Sequence, residues 1–170
     1  MISFNNNDVE FKLKNKTLLK QWITSVIMKK KRKTGEIGFV FCSDEALLKI
    51  NKQFLNHDTY TDIITFDYSK EDVKMPVSGE IYISIDRVEE NAKKFKKTFE
   101  EELHRVLIHG ILHLLGYMDK TKAAKAEMTK QEDASLKSLK KMKPTTGKKK
   151  DADLQRDFFL VMLNRGATFI

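Results

Sequence analysis

Residues His109 to Asp119 read HGILHLLGYMD, and this stretch decides where the fold has its centre and what chemistry it carries. His109 and His113 are four residues apart, so an α-helix projects both imidazoles from one face, one turn apart. Gly116 is a natural stop for that helix. Three residues later Asp119 offers an oxygen that a tight turn can swing back under the two histidines. Two nitrogens and one oxygen form an open site, because three protein ligands leave the fourth position of a tetrahedral ion to water. That is the arrangement of catalytic rather than structural zinc, and one Zn2+ ion is the expected cofactor. A histidine pair on an apolar helix is by itself more often core packing; here a glycine and an acid stand where a turn and a third ligand are needed. Two histidines and a carboxylate also suit iron and other transition ions. His104, five residues upstream, falls on a different face and is expected to be solvated or capping.

The spacing matches the metzincin pattern H-E-x-x-H-x-x-G-x-x-H with two departures. Gly110 replaces the glutamate that serves those proteases as general base, and glycine can neither accept a proton nor orient a water. Asp119 replaces the third histidine and brings a negative charge to the metal, which makes a bound water less acidic than three neutral ligands would. A metzincin-type protease is therefore disfavoured.

Outward from this stretch, the helix from about Phe99 to Leu115 is apolar on several faces, through Leu103, Val106, Leu107, Ile108, Ile111, Leu112, Leu114 and Leu115. It reads as the buried central helix of the domain. Upstream, ISF reads as a short edge strand and Lys16 to about Arg32 as an amphipathic helix. EIGFVFC reads as a strand, and Ser43-Asp44 as the cap of a helix carrying Leu47, Leu48, Ile50 and Phe54. TDIITFDY is a further strand, then comes a loop containing Pro76 and closing at Ser78-Gly79, and then the strand EIYIS. Helices are expected over Asp86 to about Lys97 and Lys122 to about Leu139. After Leu139, residues 140–150 read as a basic flexible linker. Residues 151–170 read as an extension in which Leu154 to Leu163 can form a short helix.

At 170 residues and 41% hydrophobic, the chain suits one domain, assigned to residues 1–139. The single cysteine, Cys42, excludes an intramolecular disulfide and suits a reduced, buried thiol. The N-terminus MISFNNND has no basic or apolar leader character, and no apolar run is of membrane-spanning length; a cytoplasmic protein is expected. Of the net charge of +8, seven lysines lie between Lys137 and Lys150 with no acid among them, so most of the excess is one tail. A second run, KKKRK over residues 29–33, follows a helix, where cations suit the C-terminus. Such runs are commonly solvated surface, but beside a hydrolytic metal site they favour an anionic polymer.

The segment HGILHLLGY, the preceding LNHDTYTDIITF (Leu55 to Phe66) and the strand GEIYIS together resemble the YbeY family of metal-dependent endoribonucleases, over about Ile2 to Leu139. The resemblance implies an α+β domain: a small, mixed, about four-stranded sheet packed with helices, and a metal at one end of the central helix. It also implies cleavage of single-stranded RNA, maturation of small-subunit ribosomal RNA and ribosome quality control, with ribosomal RNA and the small ribosomal subunit as partners. His109 and His113 match the family's first two zinc ligands, and Asp119 falls where its third, usually a histidine, is found. After Asn51-Lys52-Gln53-Phe54 the family commonly has an arginine thought to touch the RNA phosphate, and Leu55 stands there instead. His57 is then the nearest catalytic candidate, and Asp62 and Lys120 are substrate-binding candidates. His57, Asp58, Thr61 and Asp62 carry two readings, a turn held by Asx-type hydrogen bonds or a substrate-facing loop.

RNA carries its own nucleophile, the 2′-OH, so the absence of a base at Gly110 is less damaging to a ribonuclease than to a protease. The expected function is metal-assisted cleavage of an RNA phosphodiester. The alternative of a different class is a ribosome-associated RNA-binding or assembly protein whose zinc is structural.

Overall fold

The computed structural model describes residues 1–69, 74–142 and 168–169. The elements are β1 (Ile2–Asn6), α1 (Lys16–Lys29), β2 (Thr34–Cys42), α2 (Asp44–Leu55), β3 (Ile63–Asp67), β4 (Val77–Ser84), α3 (Ile85–Lys94), α4 (Phe99–Leu114), α5 (Lys122–Lys141) and β5 (Thr168–Phe169). The sheet order is β1-β2-β4-β3-β5. Strands β1, β2 and β4 run parallel and β3 antiparallel to β4, so the first four strands form the expected mixed sheet and the fold is α+β. β5 extends the β3 edge antiparallel, pairing Thr168 with Asp67 and Phe169 with Phe66. Lys140 and Lys141, expected in the linker, instead close α5. Met142 caps that helix, and linker residues 143–150 and the helix expected over Leu154 to Leu163 lie outside the described residues.

The period of two along the strands divides the apolar residues between two faces. Ile37, Phe39 and Phe41 of β2 and Ile81 and Ile83 of β4 pack with Trp22, Ile23 and Ile27 of α1 and Leu107, Ile108 and Ile111 of α4. Val40, Cys42, Ile64, Phe66 and Tyr82 face the other way onto Leu47 and Ile50 of α2. Both faces of β2 and β4 are therefore covered, which explains why GFVFC is a continuous apolar run and not an alternating one.

Two strands begin earlier than expected. Thr34-Gly35 lie ahead of the expected strand EIGFVFC and Ser78-Gly79 in the expected loop, yet Thr34 pairs with Val77 and Ile37 with Gly79 across an irregularity in the ladder. A Cβ on Gly35 would collide with the Ser78 hydroxyl, and one on Gly79 with the Phe66 carbonyl oxygen and, at 2.7 Å, with Leu114 Cδ2. These glycines mark close approach inside a sheet, not turns. Helix α1 stops at Lys29, short of Arg32, because Lys31 takes a left-handed φ of 57°.

Helix α4 begins in a capping box. Thr98 Oγ1 accepts the Glu101 N–H at 3.1 Å, and the Glu101 carboxylate accepts the Thr98 N–H at 3.0 Å. Glu100, Glu101 and Glu102 in its first turn complement the helix dipole. Its later turns lie against β4 at Gly110, where a Cβ would stand 2.7 Å from Ile81 Cγ2 and 3.0 Å from Ile63 Cδ1. The residue between the two histidines therefore faces the sheet, and no side chain fits there.

Gly110→Ala is expected to lower unfolding free energy by about 1–3 kcal/mol through overpacking, measured by denaturant titration; unchanged stability would contradict this packing. Burial, with the nearby charges of Asp8, Asp44 and Asp86, pushes the Cys42 thiol up to about 12. The thiol therefore stays protonated at neutral pH. Iodoacetamide is expected to leave Cys42 unmodified in the native chain and to alkylate it once the chain is unfolded, as read by intact mass.

Candidate metal centre

The two histidines lie in the last two turns of α4, and what happens after that helix brings the third group to them. Gly116 takes φ 90°, the Gly116 N–H bonds to His113 O at 2.8 Å, and the Tyr117 N–H bonds to Leu112 O at 3.0 Å. This pair of bonds is the Schellman closure, and a glycine supplies its left-handed residue without a Cβ penalty. The reversed chain carries Tyr117 O to 2.9 Å from His113 Nδ1 and brings Asp119 under the rings.

His109 Nε2 and His113 Nε2 face each other at 2.9 Å, with Asp119 Oδ2 3.6 Å from the first and 3.8 Å from the second. One donor atom from each residue lies within 4.8 Å of the others, making this the group of potential ligands found among the described residues. Ligand atoms about 2 Å from a shared tetrahedral ion stand roughly 3.3 Å apart, and the three observed separations bracket that spacing. The remaining ring nitrogens are already engaged. A carbonyl and a carboxylate accept, so His113 Nδ1–H donates to Tyr117 O and His109 Nδ1–H to Glu132 Oε1 at 2.7 Å, which leaves both Nε2 atoms facing inward. The donor set and its orientation fit a divalent cation.

The two imidazoles have opposite electrostatic surroundings. Burial opposes protonation of His109, but the hydrogen bond and charge of Glu132, with Asp119 and Asp62 behind them, outweigh it and hold its pKa above the ordinary value. His113 is pushed down by burial and by the proximity of His109, against the weaker pull of Asp119, Tyr117 O and Glu132. The two rings thus differ in basicity, with His109 the stronger base.

The loop between α2 and β3 ends beside this centre. The buried amide of Asn51 donates to Thr59 O at 2.7 Å, Thr61 Oγ1 donates to Ile63 O at 3.2 Å, and Lys52 pairs with Asp58 at 2.8 Å. Asn56 closes α2 with a left-handed φ of 53°. Side-chain hydrogen bonds thus hold the turn, although Asn51 supplies the key one from within the helix. Asp62 is half-buried, accepts from Asn91 Nδ2 at 3.2 Å, and acts on His109 through its charge. His57 is exposed on the same loop, its N–H bonded to Asn51 O at 3.4 Å, and Lys120 is exposed next to Asp119. Neither is among the groups gathered around the paired Nε2 atoms.

Three features went unread in the sequence. Glu132 and its partner Arg105 belong to the site, but Glu132 lies on α5, 23 residues beyond His109. Lys30, expected in a solvated basic run, donates from Nζ to Tyr117 Oη at 2.9 Å and to Gln131 Oε1 at 2.6 Å, tying α1 to the turn that carries Asp119. His104, expected to be solvated or capping, is half-buried. Its ring meets the Trp22 ring edge-on at 6.1 Å, and burial pushes its pKa down.

Comparison with known proteins points the same way. The family Endoribonuclease YbeY matches residues 1–140. An Endoribonuclease YbeY from Flavobacterium psychrophilum is 51% identical over 137 residues, covering 81% of this chain and 95% of its own length. One from Cytophaga hutchinsonii is 49% identical over 140 residues, covering 82% of this chain and 96% of its own. A solution structure of a Thermotoga maritima protein superposes with a TM-score of 0.57 at 27% identity, covering 87% of this chain and all of that one. With two inward-facing imidazoles and a carboxylate at the end of a buried helix, and with this match over residues 1–140, the chain belongs to the YbeY family of endoribonucleases.

Proposed function

We propose that the chain is a metal-dependent endoribonuclease, specific for single strands, in which His109, His113 and Asp119 hold one Zn2+ ion. The observation that carries this reading is the gathering of His109 Nε2, His113 Nε2 and Asp119 Oδ2 around one point while both Nδ1 atoms are engaged elsewhere. Three ligands form an open set, which favours turnover over a purely structural zinc. When bound, the ion supplies a Lewis acid for a non-bridging oxygen of the scissile phosphodiester.

The chain's own residues do the rest. Asp119 brings a negative charge that offsets part of the cation's, and the Tyr117 carbonyl holds the His113 ring in place. Gly110 offers no base, so the attacking group is assigned to the RNA itself, through its 2′-OH. His57, exposed on the loop that leads into β3, is assigned the 2′-OH proton; Asp62 and Lys120, on either side of the ligand cluster in sequence, are assigned contacts to the strand. The domain that does this work is residues 1–139, in line with the family match over 1–140.

Its substrate in the cell is small-subunit ribosomal RNA, with roles in maturation and in ribosome quality control in the cytoplasm. Family membership supports the RNA substrate. A lone buried thiol suits a reducing compartment, and among the described residues no helix is long and apolar enough to cross a membrane.

Elemental analysis of the wild type is expected to give about one zinc per chain. His109→Ala is expected to reduce zinc to trace levels and abolish RNA cleavage together, and Asp119→Ala to lower both; a metal-free, fully active His109→Ala chain would sink the assignment. Incubation with single-stranded RNA and with casein, each with and without chelator, is expected to show chelator-sensitive cleavage of RNA alone. RNA binding that survives chelation, with no cleavage in any arm, would favour an assembly protein instead.

A further inference from the structure

We propose that Glu132, held by Arg105, is a positioning residue for the metal centre, one that keeps the proton of His109 on Nδ1 and its Nε2 lone pair on the ligand side. The inference rests on the reading of His109, His113 and Asp119 as metal ligands. A neutral imidazole has one N–H, and a proton on Nε2 would remove His109 from the donor set. Glu132 Oε1 lies 2.7 Å from His109 Nδ1, and an ionised carboxylate only accepts, so the ring must present its N–H there.

The carboxylate is itself fixed. Arg105 donates from Nη1 to Glu132 Oε2 at 2.7 Å and from Nη2 to Asp133 Oδ1 at 2.8 Å, so one guanidinium fork spans two successive acids of α5. The Glu132 side chain is only 9% exposed, and a carboxylate that buried needs a charged partner to stay ionised. With one oxygen on Arg105 and the other on His109, Glu132 cannot turn to ligate the ion itself. His113 has a weaker counterpart, since its Nδ1–H meets the uncharged Tyr117 carbonyl. The two ligands are thus unequal: His109 is made the more basic donor by an anion, and His113 is merely oriented.

Arg105 and Glu132 also join α4 to α5, so a purely structural ion pair is the competing account, and affinity separates the two. Zinc affinity of the full chain is measured by competition with a chromophoric chelator, alongside circular dichroism of the metal-free protein. Glu132→Gln keeps the side-chain volume and an acceptor oxygen but loses the charge, and is expected to bind zinc roughly 10- to 100-fold more weakly while remaining folded. Glu132→Ala is expected to lose at least as much, and Arg105→Lys, which retains one ion pair, less. Ring-nitrogen NMR shifts should place the His109 proton on Nδ1 in the wild type and on a mixture of the two nitrogens in Glu132→Ala. Wild-type zinc affinity in folded Glu132→Gln overturns the proposal. So does a Glu132→Gln chain that does not fold without zinc, since that assigns the pair to the fold. A wild-type chain that takes up no zinc would instead overturn the ligand reading itself, a result that His109→Ala distinguishes by showing no further loss.

Discussion

Helix α4 must do two things that conflict. It is the centre of the core, with Leu103, Leu107, Ile108, Ile111 and Leu112 all buried, and it must also present two imidazoles to a common point. The conflict is resolved by the contact between Gly110 and β4. With no Cβ at that position the helix settles against Ile81 and Ile63, which seats its apolar side on the sheet and turns the His109 and His113 side toward α5 and the turn after Leu115. Rigid seating matters because a ligand set works only when its atoms are held close to their working positions. The absence of a protease-like glutamate is thus a packing requirement as well as a chemical fact: the position next to His109 faces the hydrophobic core.

Around that helix, charge is organised by pairing and not by simple accumulation. His109 is half-buried, and burial alone would weaken it as a base; Glu132 reverses this. Glu132 in turn is a buried carboxylate made tolerable by Arg105. Asp62 is steadied by Asn91, and Lys30 is drawn from the end of α1 onto Tyr117 and Gln131. α1, α3, α4 and α5 and the β3 approach loop all place a polar group at or next to the site. The candidate metal centre is therefore a junction of the fold and not an appendage to it.

Much of this was legible in the sequence because its signals are local. The i, i+4 histidines, the Gly116 stop and Asp119 lie within 11 residues, and helix geometry converts their spacing directly into position. The covered β2 strand was equally plain from the uninterrupted apolar run GFVFC. The errors have a common physical origin. Gly35 and Gly79 look like turn residues because glycine serves both for turns and for close backbone approach, and only a neighbouring strand distinguishes the two uses. His104 and Lys30 read as solvated because their partners, Trp22, Tyr117 and Gln131, lie on other elements.

By itself, then, the sequence determined the potential donor groups, their order and the turn that returns Asp119, since these follow from backbone periodicity and a single left-handed glycine. Only the tertiary structure decided which ring nitrogen of His109 points inward. That choice depends on Glu132 and Arg105, 27 residues apart, meeting across two packed helices. An imidazole's tautomer is set by whatever its other nitrogen touches, and no spacing rule along the chain encodes that contact.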